Sequence, residues 1–284
     1  MARTEWLDAI KHDLVFGLRQ LRKSPAFTTV AVLTLALGIG ANSAIFSVVY
    51  SVLLQPLPYA QSDRIVRLGQ RNGADEVMWI PFGNYEAWRT QTTAFDAVGA
   101  KWGQGTVTLT GQGETTPVRS TLASAGYWKA LSIPPVIGRY FTETEDREGG
   151  PPVVVISLAL WRSRFNSDPN VLGKAITLDA RPYTIVGVAP PGYLLDPPAD
   201  AVWLPLAPPA SRLNDFGDHE LTVYGLLKPG ASTATAVQQL QALEAPLARA
   251  HPHNRYDGGA VARPLVDDLL GDQRARLYLL LGAV

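Results

Sequence analysis

The chain is 284 residues long, 46% hydrophobic and free of cysteine, which allows one or two domains with a well-buried core and excludes disulfides, thiolate catalysis and cysteine metal sites. Lysine and arginine number 25, as do aspartate and glutamate, so no bulk basic field exists to attract nucleic acid. The 25 glycines and 22 prolines, spread among apolar and aromatic residues, indicate many turns and not disorder.

At the N-terminus, Trp6, Leu7, Ile10, Leu14, Leu18 and Leu21 fall at helical spacing among Lys11, Arg19, Arg22 and Lys23. This predicts a cytoplasmic amphipathic juxtamembrane helix over 1–24. Between Lys23 and Asp63 there is no charged residue, and the apolar run exceeds the roughly 20 residues that cross a bilayer. The expectation is a transmembrane helix over 25–55. As one helix, Ala26 to Leu54 reaches roughly 44 Å against a hydrocarbon core of about 30 Å, so it must tilt or project. A long n-region and an over-long apolar run argue against a cleaved signal peptide. Arg19, Arg22 and Lys23 abut the start of the span, which places the N-terminus in the cytoplasm and the body outside.

Within the span, Ala36, Gly40 and Ala44 recur every fourth residue, and Ser43, Ser47 and Ser51 repeat on the neighbouring face. Small side chains let helix backbones approach, and Asn42 offers a strong hydrogen-bonding group where there is no water. Ala36, Gly40, Asn42 and Ala44 are therefore the candidate helix-packing residues. The alternative is a lone anchor holding an unrelated outer domain.

The body, about 61–268, reads as short strands and helices. Strands are expected over Arg64 to Leu68, Thr106 to Thr110, Pro117 to Leu122, Val153 to Ile156, Ala175 to Leu178, Tyr183 to Val188 and Glu220 to Leu227. Gly111-Gln112-Gly113 and Asp179-Ala180-Arg181-Pro182 supply hairpin turns. Helices are expected over Asn84 to Gln91, Tyr127 to Leu131 and Leu158 to Phe165, and again after Ser232, a capping residue followed by an apolar stripe of Val237, Leu240, Leu243 and Leu247. Pro246 should kink or end that last helix. Strands and helices mixed without regular βαβ repetition give an α+β fold.

Chemistry is sparse. There is no G-x-x-x-x-G-K-[ST], G-x-S-x-G or H-E-x-x-H, so the chain has no phosphate loop of its own and no familiar hydrolase or zinc-protease signature. Asp215, Asp218, His219 and Glu220 are hard ligands beside a strand, yet their spacing matches no metal-binding pattern and a solvated loop explains them; His251 and His253 are judged alike. Glu143, Glu145 and Asp146 read as an exposed turn. The tryptophans of the body, Trp79, Trp88, Trp102, Trp128, Trp161 and Trp203, read as packing residues. No catalytic, cofactor or metal site is expected.

The run DLVFGLRQLRKSPAFTTVAVLTLALGIGANSAIFSVVYSVLLQPLPY, Asp13 to Tyr59, closely resembles the first helix of ABC transporter permeases of the MacB/FtsX-like group, particularly the ADOP permeases. GYWKALSIPPVIGRYFTETED from Gly126, VVVISLALWRSRFNSDPNVLGKAITLDARPYTIVGVAPPGY from Val153 and LLKPGAS from Leu226 continue the resemblance in order. It implies a MacB-like periplasmic core domain with two subdomains, the first porter-like and built from two separated stretches, the second inserted between them. It further implies a non-catalytic permease subunit in the bacterial inner membrane, in contact with membrane lipid, dimerised, and driven by a separate cytoplasmic ABC ATPase subunit. Lipoprotein handling, efflux and envelope regulation all occur in the wider group. Ser132 and Asn166 stand where such permeases often have glycine; asparagine tolerates a left-handed turn better than serine. GDQRARLYLLLGAV resembles the approach to a second membrane helix, expected over 269–284, where the chain stops at Val284 like a truncated permease or an incomplete reading frame. The rival expectation is a membrane-tethered periplasmic binding or hydrolytic domain.

Overall fold

The computed structural model describes residues 16–17, 19–49, 59–72, 75–191, 201–252, 259–271 and 279. Most of the expected helix over 1–24, the end of the span after residue 49, His253, and nearly all of the expected second span lie outside the described residues. The chain divides into two compact units, residues 1–55 with 272–284, and residues 56–271.

In the first unit, residues 19–23 are helical, and helix α1 follows over Pro25–Val49. Proline at the first helical position suits a helix start, but it brings no N–H to the Leu21 carbonyl. The Thr28 hydroxyl donates to that carbonyl at 2.7 Å and to Ser24 O at 3.0 Å. Further along, Thr34 Oγ1 donates to Val30 O and Ser47 Oγ to Ser43 O, each at 2.8 Å, so these hydroxyls are satisfied by their own helix. Its 25 residues span about 37 Å at ~1.5 Å per residue, enough to cross a bilayer.

The second unit is built on one twisted sheet. In chain order its elements are β1 Ile65–Asn72, β2 Asp75–Val77, α2 Phe82–Gln91, β3 Phe95–Thr110, β4 Thr116–Ala123, α3 Ala125–Ala130, β5 Ile137–Gly138, β6 Val153–Ser157, α4 Leu158–Phe165, β7 Ala175–Leu178, β8 Arg181–Ala189, β9 Ala201–Pro205, α5 Ala210–Leu213, β10 Leu221–Leu227, α6 Thr233–Ala250, β11 Gly259–Pro264 and α7 Leu265–Leu270. The strand order is β11-β1-β10-β3-β4-β9-β6-β8-β5, with β2 paired to β1 and β7 to both β3 and β8. Strands far apart in sequence thus lie side by side: β1 pairs antiparallel with β10 and β11. The pairs β4 with β9 and β6 with β8 are parallel.

Alternation along the strands sorts the core into three apolar clusters. On one face, Ile65, Tyr224, Leu226, Val153, Val155 and Trp203 join Tyr127 and Trp128 of α3 in a cluster that runs across the middle of the sheet. On the other, Val66, Leu68, Leu221 and Val223 pack with Phe82, Trp88 and Leu240 of α2 and α6. Val154, Ile156, Val202 and Ile185 pack with Leu160 and Phe165 of α4 in the third. Leu122 touches both of the latter.

Three expectations are corrected here. The strand expected over Thr106 to Thr110 begins at Phe95; its first half reads poorly because Val98, Gly99 and Ala100 are buried consecutively beneath α3 and cannot alternate. There Gly99 and Gly126 bring two backbones together, since a Cβ on Gly99 would lie 2.3 Å from Tyr127 N and one on Gly126 2.3 Å from Val98 O. Helix α6, capped as expected by Ser232 Oγ accepting from Thr235 N at 3.0 Å, continues through Pro246 to Ala250. Its buried positions are Ala236, Leu240 and Glu244, a stripe rotated from the expected one and containing a carboxylate. The hairpin between β7 and β8 turns on Asp179 and Ala180 alone, both with positive φ, 48° and 63°, the left-handed pair that a two-residue hairpin turn demands.

Candidate functional site

Helix α1 carries the candidate packing residues. Ala36, Gly40, Asn42 and Ala44 are all exposed within the chain, as are Phe27, Leu33, Leu37, Ile39 and Phe46. A Cβ added to Gly40 meets nothing. Among the described residues the Asn42 amide makes no hydrogen bond. The helix is long and apolar enough to cross a membrane.

In the second unit, the acidic residues weighed as metal ligands converge on a guanidinium instead. Arg212 Nη1 reaches Asp215 at 2.8 Å and Asp218 at 3.2 Å, Nη2 reaches Glu220 at 2.7 Å, and the group lies over the rings of Phe82 and Trp102. Burial pushes the Asp215 carboxyl up, but the N–H groups of Gly217 and Asp218 and the Arg212 guanidinium outweigh it and hold the group below its usual range. These acids form an ion cluster on the expected loop, with Asp218 exposed. No group of metal-binding side chains occurs among the described residues.

The turn of Glu143, Glu145 and Asp146, expected to be exposed, is only partly so. Glu143 is exposed and pairs with Arg89, whereas Glu145 is buried, accepts both Arg139 Nη groups at 2.7 Å and caps Thr142 N at 2.8 Å. The Arg139 hydrogen bonds lower its carboxyl below the ordinary value. Asp146 accepts from Ala125 N, at the start of α3, and from Ala207 N, just past β9, each at 2.8 Å. Burial pushes it up to about 6. The sequence carries no periodic signal for these roles, because each acid is recruited by N–H groups or cations from other segments.

Glu244, 1% exposed, is a second buried carboxyl, after Glu145. It accepts from Gln70 Nε2 at 2.6 Å, Trp88 Nε1 at 2.7 Å and Asn84 Nδ2 at 2.8 Å, and burial pushes it up. An open groove of about 570 Å³ is lined by Gln61, Arg64, Asp96, Trp128, Lys129 and Ser132 among others. Arg64 and Asp96 pair with each other across it at 2.5 Å. Of the tryptophans, Trp88, Trp128 and Trp203 are core residues as expected, while Trp79 is 56% exposed.

The chain pairs one helix long and apolar enough to cross a membrane with an α+β domain built on a single sheet. The family described as MacB-like periplasmic core domain matches residues 28–243, and the chain belongs to it. Among solved structures, a domain assigned to a permease protein from Porphyromonas gingivalis shares the fold at a TM-score of 0.56 and 18% identity, covering 74% of this chain and 93% of that one. The periplasmic region of MacB from Actinobacillus actinomycetemcomitans does so at 0.52 and 14%, covering 76% and 94%. No curated protein matches the chain.

Proposed function

We propose that this chain is a non-catalytic permease subunit of an ABC transporter, relaying ATPase-driven motion across the inner membrane to a periplasmic domain. The observation that carries this reading is the pairing of a charge-free apolar helix, Pro25–Val49, with a domain of the MacB-like periplasmic core family. Residues 1–24 form the cytoplasmic juxtamembrane segment, 25–55 the membrane helix, 61–268 the periplasmic core with its two subdomains, and 269–284 the beginning of a second membrane helix. The face of Ala36, Gly40 and Ala44 receives a partner helix, from a second copy of the permease or from another span, since small residues permit close approach, and the Asn42 amide, elsewhere on the helix, favours a hydrogen-bonding neighbour in lipid. A separate cytoplasmic ATPase supplies the energy, as membership of an ABC-permease domain family suggests.

Arg19, Arg22 and Lys23 support a cytoplasmic N-terminus. Reporter fusions test it: a phosphatase fused after Asp268 is expected to be active, and a cytoplasmic reporter at the same place inactive. The opposite pattern overturns the topology.

A further inference from the structure

Helix α7 is tied to the edge of the sheet by one carboxylate. Strand β11 stands at the end of the strand order and pairs with β1, and in that pairing Arg67 of β1 lies directly opposite Arg263 of β11. Residues opposed in this way send their side chains to the same face, where like charges repel. On that face lies α7, in contact with both strands. Its Asp268 accepts from Arg67 Nη1 on both carboxylate oxygens, at 3.3 and 3.2 Å, and faces Arg263 Nη1 at 3.8 Å.

Burial makes this arrangement consequential. The Asp268 side chain is 6% exposed and that of Arg67 20%, and Arg67 Nε has no partner. Arg263 has a second anion, Glu76 of β2 at 2.5 Å, which also faces Arg71 at 3.7 Å. Three arginines are thus set against two carboxylates. Without Asp268, Arg67 has no carboxylate among the described residues, and a largely buried charge left unpaired is strongly destabilising. Strand β11 offers little to resist the repulsion, since its opposite face carries the small side chains Ala260 and Ala262. In α7 only Leu265 is fully buried.

We propose that Asp268 is a latch that makes the docking of α7 and the pairing of β11 a single event. With α7 in place, the carboxylate neutralises the opposed arginines and β11 stays in the sheet. With α7 withdrawn, Arg67 and Arg263 repel across the strand pair, and the edge strand is released along with the helix. The use of such a latch rests on the reading of 269–284 as the start of a second membrane helix. Helix α7 is then the passage from the sheet to that helix, and a pull on it loosens the edge that β11 forms.

Hydrogen exchange of the full chain in detergent micelles, followed over α7, β11 and β6, tests the latch itself. It needs neither a second span nor an ATPase, so its failure is distinguishable from failure of the membrane reading. In Asp268→Asn, the amides of α7 and β11 are expected to exchange together about tenfold or more faster, with those of β6 unchanged. In the folded variant, quickening of α7 alone, of neither, or of β6 to the same extent overturns the proposal. Adding Arg67→Met removes the repulsion without restoring the carboxylate, so β11 is expected to regain its protection while α7 stays fast. A double variant whose β11 exchanges as fast as in Asp268→Asn contradicts the proposal. If Asp268→Asn does not fold, the double variant decides alone: slow β11 beside fast α7 supports the latch, and any other pattern contradicts it.

Discussion

The carboxylate of Asp146 accepts the backbone N–H of Ala207 at 2.8 Å while its second oxygen accepts that of Ala125, so one acid holds the start of α3 to the exit of β9. Its folded-state value of about 6 lies above the ordinary 3.8 because burial disfavours the charge. The folded chain therefore binds this proton more tightly than the unfolded chain. The group's contribution to stability increases as pH falls through about 6 and levels off below the unfolded value. Relative to Asp146→Asn, the native chain should gain about 2 kcal/mol between neutral pH and pH ~4. Denaturant unfolding of both chains across that range checks it, and a pH-independent difference contradicts it.

Glu145 behaves oppositely. Its carboxyl is held down by Arg139, so its contribution is present above the unfolded carboxyl value and is lost as pH falls through the folded one. Arg139 is half exposed, which limits the pair by solvent screening. Arg139→Met is expected to cost about 1 kcal/mol at neutral pH, mainly by leaving the buried Glu145 without its cation, and less in acid. Thermal unfolding at both pH values measures this.

Among the non-glycine residues with left-handed backbone are Ser132, with φ 54°, and Ala180, with φ 63°. Ser132 also buries a hydroxyl without a partner. Ser132→Gly and Ala180→Gly should each stabilise the domain by about 1 kcal/mol, since a Cβ in this region is strained. Calorimetric melting that falls in either variant would show that the turn is held by something other than backbone preference.

Gly126→Ala should do the reverse. Its Cβ would sit 2.3 Å from the Val98 carbonyl oxygen, backbone against backbone, so α3 must lift from β3 at a cost of about 3 kcal/mol. A variant with native stability would show that α3 is free to shift.

Much of this architecture was legible because its determinants are local. The charge-free run to Asp63, the continuous β-branched Val153 to Ile156, the Ser232 cap and the glycine turn after Thr110 each need only neighbouring residues, and the resemblance carried by Asp13 to Tyr59 pointed to the family that matches residues 28–243. What stayed hidden depends on distant partners. Glu244 breaks an apolar stripe, and nothing near it in sequence signals that Gln70, Asn84 and Trp88 satisfy it 156 or more residues away. Glu145 and Asp146 resemble a solvated turn until Arg139, Ala125 and Ala207 are folded around them. Arg212 likewise turns four residues with ligand chemistry into an ion cluster with a histidine beside it. For the proposed helix-packing face the sequence supplies only the spacing of Ala36, Gly40 and Ala44.

The central claim is that this chain couples to a separate ATPase through its membrane helix. The most direct measurement is ATP hydrolysis by the cytoplasmic ABC ATPase reconstituted in lipid with the permease bearing this sequence, compared with Gly40→Leu and Ile39→Leu permeases at equal incorporation. Gly40→Leu places a branched side chain where backbones meet, whereas Ile39→Leu preserves volume on another face. The permease is predicted to stimulate hydrolysis, Gly40→Leu to reduce that stimulation several-fold and Ile39→Leu to leave it intact. An ATPase rate that is the same with the permease, without it and with Gly40→Leu would contradict the account and favour a passive tether.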